Sequence, residues 1–175
     1  LKISVAPGED RIAAITLLTK AGDSPAEYFR KIINKHKLSL PQNWQTGKPI
    51  DQAIELLQAS YEKQVDLFTI SELQQETVIQ VETLWQENPG KRIRLKHVGG
   101  GGGKGQRVIT SVDEVQEAVM SVLIESKATG VGYNKNFLIE LNIENTRHNE
   151  IQLLGNGKWC IELGGRDCSL QMHEQ

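Results

Sequence analysis

Apolar residues recur at helical spacing through the first ninety positions of the chain. This pattern predicts four helices, over residues 9–20, from residue 25, over residues 50–63, and from residue 71 to about residue 85. Ser24-Pro25 supplies a cap followed by a proline in the first turn, and Asn88-Pro-Gly90 stops the fourth helix. Such apolar stripes are typical of helix faces that pack against a protein core. Residues 1–90 are therefore predicted to be a mainly helical segment, whose role the pattern leaves open.

The pattern changes to a period of two after residue 91. Ile93 and Leu95 are predicted to face a core, while Arg92, Arg94 and Lys96 share the opposite face of one strand. A second short strand is predicted over residues 107–109. Ser111-Val-Asp-Glu114 has the form of a capping box and predicts a helix that runs to about Lys127.

Three further strands are predicted, over residues 137–143, 147–154 and 158–163. Gly155-Asn-Gly157 is a strong hairpin signal between the last two. The predicted core-facing residues are Phe137, Ile139, Leu141, Ile143, Ile151, Leu153, Trp159, Ile161 and Leu163. The opposite face carries the polar residues Glu140, Asn142, Glu144, His148, Glu150 and Gln152. The chain is thus predicted to be α+β, with antiparallel strands preceded by a mainly helical segment.

Five consecutive glycines, residues 99–103, follow the basic strand and lead into Lys104-Gly105. Glycine has no side chain to bury, but its bare backbone N–H groups can approach an anion closely. The flanking sequence from residue 91 to 107 contains six lysines and arginines and no acid, although the whole chain has a formal net charge of only −2. A glycine loop in a local excess of positive charge suits a polyphosphate ligand.

Other interpretations of the glycine run remain open at this point. A polyglycine run is often only a linker, although strand-like sequence on both sides favours a hairpin loop. The run is not a Walker A loop, because Val98 and Gly105 stand where that motif needs glycine and Ser or Thr.

The composition narrows the class of protein. The near-neutral charge argues against general nucleic-acid binding, and no apolar run has the length of a membrane span. Cys160 and Cys168 lack the spacing of a zinc site and are expected to be reduced thiols of a cytoplasmic protein. Because the chain begins at Leu1 and ends at Gln175 within what looks like a motif, we expect it to be part of a longer protein.

Three motifs resemble the ATP-grasp domain of biotin carboxylases, and together they cover roughly residues 91–175. The first is the glycine loop with its flanks, from Leu95 to Val108, which resembles the lid loop of that domain. The second runs from Glu140 to Gln152 and the third from Gly165 to Gln171. The resemblance divides the chain into residues 1–90, of unknown role, and residues 91–175, a partial ATP-grasp domain.

The resemblance implies an ATP-dependent ligase that uses bicarbonate to carboxylate biotin on a carrier domain. Lys96 would contact phosphate, Glu140 would accept from the adenine amino group, and the backbone of Ile143 would meet the ring edge. His148 and Gln171 would reach the ribose or phosphates. Backbone groups of the loop would close over the phosphates, and the residues assigned to this role are Gly100, Gly101, Gly102, Gly103 and Lys104. Three of these side chains also have a plain alternative, because Lys96, Glu140 and His148 can be solvated surface residues.

The resemblance also implies what this stretch lacks. The Mg²⁺ ligands, the bicarbonate-binding arginine and the general base lie further along the family's sequence. No catalytic or metal-binding residue is therefore expected within these 175 residues, which by themselves should be inactive. The complete protein is expected to be a cytoplasmic homo-oligomer that binds neither nucleic acid nor membrane.

The chain departs from the family at two positions, since Leu141 replaces a usual lysine and Glu174 a common histidine. Two alternatives to this function stay open, and the departures suit the second of them. One is another ATP-grasp ligase, similar to carbamoyl-phosphate synthetase, and the other is a non-catalytic nucleotide-binding or assembly module. The final acceptor of the carboxyl group, whether an acyl-CoA or a keto acid, is not indicated by the sequence.

Overall fold

The computed structural model describes residues 8–98 and 104–169. Within these ranges the helices are α1 (Ile12–Ala21), α2 (Pro25–His36), α3 (Pro49–Glu62), α4 (Ile70–Glu87) and α5 (Val115–Glu125). The strands are β1 (Gly8–Glu9), β2 (Ile93–His97), β3 (Gln106–Ile109), β4 (Phe137–Leu141), β5 (Asn149–Gly155) and β6 (Cys160–Asp167). None of the described helices is both long and apolar enough to cross a membrane. The predicted α+β class, with antiparallel strands after a helical segment, is confirmed.

The chain divides after Asn142 into two compact units. The first unit contains a four-stranded antiparallel sheet in the order β1-β4-β2-β3, against which α1, α4 and α5 pack. The second unit contains the β5–β6 hairpin. Helices α1–α4 thus belong to the same unit as the four-stranded sheet. The predicted division of the chain into residues 1–90, of unknown role, and residues 91–175, a partial ATP-grasp domain, stays a prediction.

One face of the four-stranded sheet forms the core of the first unit. Ile93, Leu95 and Ile139 alternate along β2 and β4 and are at most 1% exposed. Burial of each such side chain stabilises the fold by about 1.5–3 kcal/mol. Because successive side chains of a strand point to opposite faces, this burial directs Arg94, Lys96 and Glu140 to the other face.

Most helix positions follow the predicted pattern, with one correction at the N-terminal end of α1. The predicted helix 9–20 begins only at Ile12, because Gly8 and Glu9 form β1 and pair with Glu140 and Ile139 of β4. A local pattern cannot reveal this pairing, since the partner strand lies about 130 residues away in sequence. On α3, Ala53 and Leu56 are buried, whereas Ile54 is 40% exposed.

The capping box predicted at Ser111 is only partly formed. Residues Val112–Glu114 form a 3₁₀ turn, α5 begins at Val115, and the Ser111 side chain makes no capping hydrogen bond. The Glu114 carboxylate instead accepts from the backbone N–H and the hydroxyl of Thr110, each at 2.8 Å. A complete capping box occurs at Thr69, where Thr69 and Glu72 bond reciprocally at the start of α4.

The strand predicted over residues 137–143 ends at Leu141. Asn142 is 7% exposed, whereas Ile143, predicted to face the core, is 59% exposed. The Asn142 backbone N–H bonds to Arg92 O at 2.9 Å, so that one hydrogen bond continues beyond the end of β4.

The hairpin predicted at Gly155-Asn-Gly157 is present, with Gly155 opposite Cys160. The Asn156 side-chain oxygen accepts from the backbone N–H groups of Lys158 and Trp159, which closes the loop. The apolar face of this hairpin was predicted to be buried, and for the described residues this prediction is wrong. The exposed fractions are 64% for Ile151, 58% for Leu153, 51% for Trp159, 47% for Ile161 and 58% for Leu163. A two-stranded ribbon has no second layer to cover a face.

Candidate functional site

The polar face of the four-stranded sheet carries the predicted nucleotide-binding side chains of the first unit. In the β2–β4 register, Lys96 lies opposite Leu138 and Arg94 lies opposite Glu140. Lys96 and Glu140 are therefore diagonal neighbours on one face, with Cα atoms roughly 7–8 Å apart. The structure thus brings together two of the side chains that the sequence assigned to one site.

Arg94 fixes the centre of this face. Its guanidinium donates to Asn142 Oδ1 at 2.7 and 3.1 Å and to Gln106 Oε1 at 2.8 Å. It therefore links β3 to the residue that follows β4, across β2. The three hydrogen bonds hold Arg94 along the sheet surface, so that its role here is structural.

Lys96 and Glu140 have a different environment from Arg94. The Lys96 side chain is exposed, and Glu140 is half-buried. Within the described residues neither forms an ion pair, and neither has a side-chain hydrogen bond. An exposed ammonium and a half-buried carboxylate on one face supply a cation for phosphate and an acceptor for an amino group.

The residues that flank the glycine run are held by backbone hydrogen bonds and by one carboxylate. On the β2 side, the His97 N–H bonds to Gly105 O at 2.8 Å and the Val98 N–H bonds to Asn136 O at 3.3 Å. On the β3 side, Glu125 of α5 accepts from the Gly105 N–H at 2.6 Å. The same carboxylate also forms an ion pair with Arg107. Glu125 thus anchors the segment at which the run ends.

The loop residues assigned to phosphate lie mostly outside the described part of the chain. Gly100, Gly101, Gly102 and Gly103 are outside it, and Lys104 is its first residue after the run and is exposed. Gly105 has a φ of 70°, in the left-handed region that favours glycine. The contacts predicted for these five residues stay predictions.

Ile143 and His148 belong to the second compact unit. His148 lies in the segment just before β5 rather than inside the predicted strand, and its side chain is exposed. Its backbone N–H bonds to Ser169 Oγ at 2.9 Å, and its carbonyl oxygen accepts from the Cys168 N–H at 2.6 Å. Gln171 lies outside the described residues. The assignment of these three residues to the nucleotide stays a prediction.

The charged residues around His148 form structural contacts within the hairpin unit. Arg166 pairs with Glu150 across the two strands and lowers the pKa of that carboxyl. Asp167 accepts from the Ser169 hydroxyl at 2.5 Å, and this bond lowers the Asp167 pKa. Arg166 therefore acts in the pairing of the two strands and Asp167 in the turn that follows β6. Cys160 and Cys168 are free thiols.

Sequence reasoning missed two features that organise the site. The link between Arg94 and Asn142 was not predicted, although the period of two placed both residues on the polar face. The anchoring role of Glu125 left no local signal, because its partners Gly105 and Arg107 are about twenty residues away. Such contacts depend on how α5 packs on the sheet.

The amino-acid sequence of the chain is similar to those of known proteins. The sequence model described as the carbamoyl-phosphate synthase L chain, ATP-binding domain, matches residues 65–175. A biotin carboxylase of Haemophilus influenzae is 39% identical over 88 residues, which cover 49% of this chain and 19% of that protein. A pyruvate carboxylase of Bacillus subtilis is 40% identical over 101 residues, which cover 57% of this chain and 8% of that protein.

Among solved structures, one match is the biotin carboxylase domain dimer of Hydrogenobacter thermophilus 2-oxoglutarate carboxylase, in complex with MgADP, ADP and bicarbonate. It is 36% identical, covers 56% of this chain and 21% of that chain, and has a TM-score of 0.43. The matched stretch therefore spans about a fifth or less of each of these three proteins. The family match begins at residue 65, so that it includes α4 as well as the segment identified from the motifs.

Proposed function

The chain belongs to the family of carbamoyl-phosphate synthase L chain ATP-binding domains, and from this we propose that it supplies part of the nucleotide-binding surface of an ATP-dependent biotin carboxylase. The observation that carries the proposal is the shared polar face of Lys96 and Glu140, beside the glycine run. Relatives at 39% and 40% identity are a biotin carboxylase and a pyruvate carboxylase, which favours this activity over carbamoyl phosphate synthesis.

The chemistry of the two side chains suits the two ends of ATP. The Lys96 ammonium, which has no ion-pair partner within the described residues, is available to a phosphate oxygen. The Glu140 carboxylate is an acceptor for the adenine amino group. Backbone N–H groups of Gly100, Gly101, Gly102 and Gly103, with Lys104, would cover the phosphates where negative charge concentrates. The resemblance would further assign the Ile143 backbone to the adenine edge, and His148 and Gln171 to the ribose or phosphates.

The complete reaction needs groups that we do not assign to this stretch. Among the described residues no cluster of three or more His, Cys, Asp or Glu side chains is arranged to hold a metal ion. From the resemblance to biotin carboxylases, the Mg²⁺ ligands are expected further along the complete protein. When bound, Mg²⁺ would neutralise phosphate charge during transfer to bicarbonate.

The further partners of the complete protein follow from the same proposal. Bicarbonate and a biotin carrier domain are its expected substrates, and a homo-oligomer is its expected assembly. A cytoplasmic location is supported by the two free thiols of the hairpin unit. The departure at Leu141 does not alter the polar face, because this residue is 9% exposed on the core side, opposite Ile93.

The proposal is tested by bicarbonate-dependent ATP hydrolysis in the full-length protein, measured with and without free biotin. Lys96→Ala is expected to lower kcat/KM for ATP by about 10- to 100-fold, because one charge-assisted hydrogen bond is worth roughly 1.5–3 kcal/mol. Lys91→Ala is the matched control, since Lys91 is an exposed lysine of the same basic segment that precedes β2.

Two outcomes would contradict the proposal. Equal rates for wild type and Lys96→Ala would remove Lys96 from the mechanism. ATP binding without bicarbonate-dependent hydrolysis in the wild type would instead identify a non-catalytic nucleotide-binding module.

A further inference from the structure

The loop before β4, residues 130–136, contacts both the helical segment and the ends of the nucleotide-binding strands. We call it the junction loop. It lies wholly within the first compact unit. Its contacts fall into two groups, one toward the α3–α4 connection and one toward β1, α1 and the end of β2.

Toward the helical segment, the main contact is a buried ion pair. The Lys135 side chain is only 3% exposed and pairs with Asp66, which lies between α3 and α4. Lys135 Nζ also donates to Gly130 O at 3.1 Å, within the junction loop. A buried ammonium is strongly unfavourable without a partner. The Asp66 carboxylate therefore offsets the cost of burying the Lys135 ammonium.

A second contact fixes the same two segments against each other. Gly132 approaches the backbone of Gln64 so closely that an added Cβ would lie 2.2 Å from Gln64 Cα. Gln64 and Gly132 both have positive φ angles, of 55° and 78°. Two residues with left-handed backbone conformation therefore pack backbone to backbone. They lie two residues before Asp66 and three residues before Lys135.

Toward the strands, Asn136 and Asn134 make the contacts. Asn136 Oδ1 accepts from the Ala13 N–H at 3.2 Å, and its amide donates to Asp10 O at 2.6 Å. The Asn136 carbonyl oxygen accepts from Val98, the last described residue before the glycine run. His97 Nε2 lies 3.1 Å from Asn134 O. The junction loop thus holds the end of β2 as well as the start of β4.

From these contacts we propose that Asp66 and Lys135 are positioning residues for the nucleotide site, with Asp66 acting through Lys135 on β2 and β4. The identity of the ligand, ATP, rests on the proposed function. The effect of the Asp66–Lys135 pair on β2 and β4 does not. Lys135 is two residues before β4 and five before Glu140, while its neighbour Asn136 bonds to Val98. Displacement of Lys135 would therefore disturb both the adenine end and the phosphate end of the site.

The direction of the effect follows from the geometry. Neither Asp66 nor Lys135 lies on the polar face, so that their loss removes no direct contact to ATP. It makes the strand ends less ordered, which weakens nucleotide binding more than the reaction of bound nucleotide. The expected result is a roughly tenfold increase in KM and Kd for ATP with kcat changed by less than about threefold.

The test uses Asp66→Ala and Lys135→Met in the full-length protein, with Asp66→Glu as the conservative variant. Glu27→Ala is the control, because it removes an exposed ion pair with Lys31 on α2, away from the junction loop. Amide hydrogen exchange is measured first, without nucleotide, on peptides that cover residues 93–98 and 137–141. ATP affinity, KM and kcat are measured second.

We expect faster exchange in both peptides for Asp66→Ala and Lys135→Met, recovery in Asp66→Glu, and no change in Glu27→Ala. Unchanged exchange in well-folded Asp66→Ala would overturn the inference, as would a fall in kcat at constant KM. If Asp66→Ala does not fold, Asp66→Asn retains an acceptor oxygen and gives the same comparison. Failure of the wild type to bind ATP would refute the proposed function, whereas the nucleotide-free exchange data would still decide whether the pair positions the strands.

Discussion

Tyr61 of α3 shows how a single residue responds to burial in this fold. Its hydroxyl is buried without a hydrogen-bond partner at bonding distance. Burial raises the pKa of the phenol to about 12, and the nearby backbone N–H of Lys135 acts in the opposite direction. The residue lies close to the buried ion pair of the junction loop, where an unpartnered polar atom is unfavourable.

Replacement of this hydroxyl gives a prediction with a defined pH range. Because burial disfavours the phenolate, the folded-state pKa lies above the unfolded value of about 10, and ionisation does not affect the free energy of unfolding below pH 10. As the pH rises from 10 to 12 the unfolded state ionises first, and the free energy of unfolding falls by roughly 2–3 kcal/mol at most. Tyr61→Phe should lack this loss and should be as stable as the wild type, or about 1 kcal/mol more stable, at pH 7.

Urea unfolding of both proteins at pH 7, 9 and 11 measures the difference. Tyr28→Phe is the control, since Tyr28 lies on α2 and is only partly buried. A stability difference that is the same at all three pH values would show that Tyr61 does not ionise differently in the two states.

At the scale of elements, β4 links the parts of the first unit. It is paired with β1 and β2, and its residues alternate between the core and the polar face. A shift of one residue in the pairing would turn Glu140 toward the core. The junction loop that precedes β4 therefore has to place the strand within one residue, and the contact between Gly132 and Gln64 contributes to this.

Gly132→Ala tests that contact. The new Cβ would overlap the Gln64 backbone at 2.2 Å and would also require alanine at a φ of 78°. Gly90→Ala is a matched control, because Gly90 has a φ of 75° but open space around its Cα. We expect Gly90→Ala to lower the free energy of unfolding by about 1 kcal/mol and Gly132→Ala by roughly 3 kcal/mol or more.

Chemical denaturation gives both values. Similar losses for the two variants would mean that only backbone strain matters at residue 132, and that the junction loop moves away from Gln64 without penalty.

At the scale of the whole molecule, the two compact units differ in how much they bury. The first unit has a continuous core that includes Leu17, Leu56, Leu73, Leu95 and Leu123, each 0% exposed. In the hairpin unit the apolar residues of β5 and β6 are about half exposed or more. Local stability follows buried apolar contacts, so that the two units should open with different free energies.

Amide hydrogen exchange of the 175-residue chain measures this difference. Backbone amides of β5 and β6 are expected to exchange at least tenfold faster than those of β2 and β4. Equal protection factors in the two sheets would show that the hairpin is stabilised as strongly as the core of the first unit.

The amino-acid sequence by itself determined most of the local structure and the chemical character of the site. Periods of 3.6 and 2 predicted the helices and strands, because each element turns one apolar face to a core. The hairpin at Gly155-Asn-Gly157 and the polar face with Lys96 and Glu140 followed from the same pattern. The motifs around the glycine run were sufficient to indicate the family.

Only the tertiary structure decided which distant residues meet. It showed that Glu9 belongs to a strand, that Ile143 is exposed, and that Asp66 pairs with Lys135 across 69 positions of sequence. It also showed the apolar face of the hairpin exposed rather than buried. Periodicity records which side of an element is apolar, whereas burial and pairing depend on what packs against that side, and this is not a local property of the chain.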